Sequence, residues 1–170
     1  MFMIMTQKLF LKRDGGKVVG TDSEKNAGVV VVCLKDNRPA VEKMLLSVFN
    51  TQNRITIYFE DLDEALTKDK HLFAGYGEGS GKNNAMDAAR GALFSLIKAG
   101  GRADETSEFL FLHFACSKDI TFYAMVTAMD FLKTRLSADV KIFFGQSYDV
   151  EGVDRVKCVM LTSVPGRAKN

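Results

Sequence analysis

Glu60, Asp61, Asp63 and Glu64 form the densest carboxylate cluster in the chain, and carboxylates so close together can hold a cation or polarise a water molecule. The same acids open the segment 60–66 (EDLDEAL), where a first helical turn gains from negative charge without any further role. Spacing alone leaves both readings open. A second candidate is the run Gly75, Gly77, Gly79 and Gly81 followed by Lys82. A phosphate loop would need glycine where Tyr76 stands and a hydroxyl where Asn83 stands, and the dinucleotide pattern fails because Ser80 or Lys82 falls where its last glycine belongs. The run is therefore read as a structural bend at Gly77, Gly79 and Gly81, with an anion at the following helix start as the alternative. His71 and His113 have no second histidine or cysteine at ligand spacing and are read as packed or surface imidazoles. Cys116 and Ser117 could pose as nucleophiles, but no base to activate them is identifiable, so a buried thiol beside a turn serine is expected. No metal and no cofactor is expected.

The elements that must position these groups follow from periodicity. Residues 8–13 and 17–19 around Gly15-Gly16 predict a hairpin, because paired glycines supply the positive φ of a tight turn. The β-branched run 28–34 (GVVVVCL) predicts a strand covered on both faces. Pro39 suits a first helical turn, and Val41, Met44, Leu45 and Val48 give the helix after it one apolar face. Beyond a polar break at residues 50–53 come a strand at 55–59, the short acidic helix and a second strand at 71–76. The helix at 83–98 carries Ala85, Ala88, Ala89 and Ala92, small enough for close approach to a sheet. Residues 108–116 (EFLFLHFAC) are apolar almost throughout and predict a central strand. A helix at 119–136 and strands at 140–146 and 156–162 complete the chain. Successive right-handed crossovers put both long helices on one face of a four-stranded mixed sheet.

Composition bounds the function. The 170 residues, 46% hydrophobic and 26% charged, suit a single core. A net charge of +2 gives no field that would imply nucleic acid or an anionic membrane as partner. Cys33, Cys116 and Cys158 are odd in number and lie in apolar runs, which predicts buried, reduced thiols and a cytoplasmic protein. The opening MFMIM is too short for a signal-peptide core, and no apolar run approaches the roughly 20 residues of a membrane span. Phe109, Phe111, Phe114, Phe143 and Phe144 read as core, since no basic residues interleave with them.

Residues 54–163 resemble the C-terminal domain of the bacterial tubulin homologue FtsZ. That family reads M-G-x-G-E-[AG]-x-G-E-N-R-A-x-x-A-A where residues 74–89 read AGYGEGSGKNNAMDAA, with Gly75, Gly77, Glu78, Gly81, Asn83, Ala85, Ala88 and Ala89 matching. Residues 113–132 (HFACSKDITFYAMVTAMDFL) resemble its next strand, glycine turn and helix, with Cys116 and Ser117 in place of the paired glycines. IFFGQSYD at 142–149 resembles I-I-F-G-x-x-x-D, and VKCVMLTSV resembles the last strand.

The resemblance implies an α+β domain of the FtsZ/tubulin C-terminal type at 54–164. Ahead of it lie a β-rich extension at 1–37 and a short connecting helix with a turn at 38–53, and behind it a tail at 165–170. In the family, GTP sits on an N-terminal domain, and a synergy loop N-x-D-F-x-D-[VL] from the next subunit completes catalysis. Here the loop reads T-I-Y-F-E-D-L, with Thr56 for the asparagine, Tyr58 for the first aspartate and only Asp61 keeping the second. No G-G-G-T-G-T-G segment exists, and only PGRAKN follows the last strand, so a cut-down relative without the family's linker and terminal peptide is expected. The resemblance therefore implies a noncatalytic module that binds a protein, an FtsZ-type filament or itself, in cell division or another filament system. Its interaction loop would hold Thr56, Tyr58, Glu60 and Asp61. Two alternatives stand: Asp61 completes a GTPase site in trans, or the scaffold serves a small-molecule binder or enzyme.

Overall fold

The computed structural model describes residues 5–51, 56–62, 71–104 and 106–163. Its elements run β1 (Thr6–Asp14), β2 (Lys17–Thr21), β3 (Val29–Leu34), α1 (Arg38–Asn50), β4 (His71–Ser80), α2 (Asn84–Lys98), β5 (Phe109–Cys116), α3 (Phe122–Lys133), β6 (Lys141–Ser147) and β7 (Arg155–Ser163). All seven strands among the described residues join one sheet in the order β2-β1-β3-β4-β7-β5-β6. The expected four strands are its β4-β7-β5-β6 portion, with α2 and α3 packed on one face. The strand count is larger than four because β3 pairs in parallel with β4, Val30 opposite His71 through Val32 opposite Phe73. Strand β3 is apolar towards both faces, and such a strand is stable only inside a sheet.

Side-chain alternation splits the interior in two. Leu9, Leu11, Val31, Leu72, Val159 and Leu161 meet Val41, Leu45 and Val48 of α1 on one face. On the other, Leu112, Phe114, Cys158 and Met160 meet Ala88, Ala92 and Leu96 of α2 and Met125 of α3. Among the described residues no helix is long and apolar enough to cross a membrane.

Two local expectations are corrected. The first concerns Gly77 and Gly79, which, like Gly75 in the expected strand before them, make no bend. They lie in β4 and face α2. A Cβ on Gly75 would stand 1.8 Å from the Ala92 carbonyl oxygen, and one on Gly77 would stand 2.2 Å from that of Ala88. The glycines remove side chains so that a helix backbone can rest directly on a strand, and only Gly81, at φ +79°, turns the chain. The second concerns residues 55–59, where a strand was expected. Residues 56–58 are irregular, and Phe59–Leu62 form a 3-10 turn. Asp61 is the reason: its Oδ2 accepts the Tyr58 N–H at 2.7 Å, and its own N–H reaches the Tyr58 carbonyl at 2.9 Å. A short acidic side chain that bonds nearby backbone favours a turn over a ladder. Residues 54 and 55, and 63–66 of the expected acidic helix, lie outside the described residues, as does the tail.

The edge at β2 is closed from within the chain. Val18 N–H donates to Asn50 Oδ1 and Asn50 Nδ2 donates to the Val18 carbonyl, each at 2.7 Å, so the side-chain amide copies the next strand. Asn50→Ala should lower stability by about 1 kcal/mol for the lost bonds and leave an unprotected edge open to pairing. Urea unfolding combined with sedimentation velocity would report both effects, the second as concentration-dependent association.

Candidate functional site

The segment 56–62 is held at both ends by apolar side chains. Ile57 and Leu62 are buried in the same cluster as α1, and the Phe59 ring meets Phe49 of α1 edge-on at 5.3 Å. From the other side Arg13 of β1 lies over the Phe59 ring, 5.6 Å from its centre, and pairs with the Glu60 carboxylate. The Glu60 carboxyl is held below the usual range, first by its own backbone N–H and then by Arg13. Between these anchors Tyr58 stands out, 60% exposed.

The four loop residues thus share one short turn but point to different ends. Thr56 is half-buried, Tyr58 faces solvent, Glu60 turns to Arg13, and Asp61 turns back on the Tyr58 N–H. Asp63 and Glu64 of the acidic cluster lie outside the described residues. Among the described residues no group of three or more histidines, cysteines, aspartates or glutamates is placed to hold a metal ion. The Arg13 clamp, 47 residues away in sequence, left no signal in the local pattern.

The other chemical candidates are occupied by the fold. His71 pairs with Glu24 at 3.0 Å on the surface. Cys116 is buried, with its thiol pushed up to about 12, first by burial and then by Asp149, so it stays protonated and unreactive at neutral pH. Ser117 Oγ donates to Asp119 Oδ1 at 2.7 Å and accepts the Arg155 N–H at 3.0 Å, which ties the end of β5 to the start of β7. Cys33 and Cys158 are likewise free and buried. His113, only 3% exposed, bonds Ser147 Oγ through Nε2 at 3.0 Å, and that hydroxyl donates to Asp149 Oδ1 at 2.7 Å.

Comparison with known proteins finds the same architecture. A point mutant of FtsZ from M. jannaschii superposes with a TM-score of 0.64 at 17% identity, over 85% of this chain and 49% of that one. An empty FtsZ dimer from M. jannaschii gives 0.58 at 18% identity, over 72% of this chain and 35% of that one. The GTPγS-bound CetZ2 protofilament from Haloferax volcanii gives 0.54 at 13% identity, over 79% of this chain and 40% of that one. The chain has an FtsZ/tubulin-like fold and spans less than half the length of each of these structures. No protein-family model and no curated protein matches it.

Proposed function

We propose that this chain is an assembly or docking module on the FtsZ/tubulin-like fold, acting by protein contact through the 56–62 turn. One observation carries the reading: an aromatic side chain, Tyr58, is held out in solvent on a turn whose two flanks are buried. A large side chain presented on an ordered support makes an effective contact residue, because little conformational entropy is lost when it docks. Similar folds occur in an FtsZ dimer and a CetZ2 protofilament, which supports a filament subunit or a second copy as the partner.

Completion of a GTPase site by Asp61 finds less support. A carboxylate that orders a cation or water must offer its oxygens outward, whereas Oδ2 of Asp61 is engaged by the Tyr58 N–H. Co-sedimentation with GTP-assembled FtsZ, with sedimentation equilibrium of the protein alone, tests the proposal. The wild type should pellet with filaments or self-associate, and Tyr58→Ala should weaken that by roughly tenfold or more, as loss of a hot-spot aromatic does. A wild type that remains monomeric and in the supernatant would refute it.

A further inference from the structure

A groove of about 520 Å³ runs between α1 and the sheet, over the ends of β4, β5 and β7. That volume lies within the range of small-molecule sites. Its lining is charged in both senses: Lys43, Arg155 and Lys157 are cations, and Glu78, Asp149 and Glu151 are acids. His113 belongs to the same lining, and its Nδ1 is buried with no hydrogen-bond partner among the described residues. An unsatisfied buried polar atom costs about 1–3 kcal/mol, so its presence beside a cavity calls for an explanation.

The hydrogen-bond chain fixes what that atom can do. Ser147 gives its proton to Asp149, so its oxygen accepts from His113 Nε2–H, and the neutral ring is left with a lone pair on Nδ1. Nδ1 is therefore an acceptor in want of an N–H or O–H. The groove offers cations for an anionic group and carboxylates for hydroxyl donors, with the buried His113 Nδ1 acceptor at its wall.

We propose that this groove binds a small polyhydroxylated anion of the sugar-phosphate class. Lys43, Arg155 and Lys157 take the phosphate, while His113 Nδ1, Glu78 and Asp149 accept from the hydroxyls. The site is distinct from the 56–62 turn, so it stands or falls separately from the docking proposal.

Three probes separate the components: glucose phosphate carries anion and donors, glucose carries donors only, and sulfate carries the anion only. Titration of the isotope-labelled full chain, followed by NMR at constant ionic strength, should give saturable shifts at His113, Lys157 and Ala115 with glucose phosphate. Affinity for sulfate or glucose should be at least about tenfold weaker. Lys43→Ala together with Lys157→Ala, both at the groove's rim, should lower glucose phosphate affinity about tenfold or more, and His113→Gln should remove its advantage over sulfate. Absence of saturable shifts with glucose phosphate, equal affinity for sulfate, or unchanged binding in the double variant would each overturn the proposal.

Discussion

Gly77→Ala is expected to unfold the protein or to cost at least about 3 kcal/mol, the upper range for overpacking. The new methyl would stand 2.2 Å from the Ala88 carbonyl oxygen and 2.5 Å from the Ala92 nitrogen. These are backbone atoms of α2, so no rotamer change relieves the clash and the helix itself must lift from β4. Moving α2 would open the contacts of Ala88, Ala92 and Leu96 at once. Gly16→Ala is the control, because none of the described residues lies within 4 Å of a Cβ there, and it should stay within about 0.5 kcal/mol of the wild type. Chemical denaturation of the two variants would decide the matter. Similar midpoints would mean that α2 does not sit on the strand backbone.

The second large effect depends on pH. Burial drives the His113 ring from an ordinary 6.5 down to about 4, and Asp149 only partly opposes it. The unfolded chain therefore takes up a proton at this residue between about pH 6.5 and pH 4 while the native protein does not. The group's contribution to stability is fully present above pH 6.5 and is lost as pH falls through that window. The loss amounts to about 3 kcal/mol from the shift at 1.36 kcal/mol per unit. Unfolding free energies measured from pH 7 to pH 4 should fall more steeply for the wild type than for His113→Gln, which has nothing to titrate there. Parallel slopes would mean that the buried imidazole is not what the acid attacks.

Period-2 and period-3.6 patterning located most of the elements, because each of these strands and helices buries one or both faces and the burial is written into adjacent residues. Helix α1 shows this directly: Val41, Met44, Leu45 and Val48 are the buried residues of Arg38–Asn50. Long-range pairing leaves no such mark. Nothing in the run Val29–Leu34 says that its neighbour is His71–Ser80 rather than a second hairpin. The glycines of β4 were ambiguous for a different reason, since the missing side chain permits either a bend or a close approach. The alanines at 85, 88, 89 and 92 pointed to the second, and α2 shows that they complement the glycines. At the 56–62 turn, the four residues could be singled out from the sequence, but not the partners that Glu60 and Asp61 have. Those depend on Arg13 and on a backbone N–H that a strand would have used elsewhere.

The parallel junction of β3 with β4 carries a consequence for how the polypeptide can be divided. A fragment starting at residue 54 would forfeit α1 and the whole amino-terminal half of the sheet, baring the oily underside formed by Leu72, Phe111, Val159 and Leu161. The later strands thus borrow the cover of one face from the earlier segment, and such a fragment should aggregate when expressed alone.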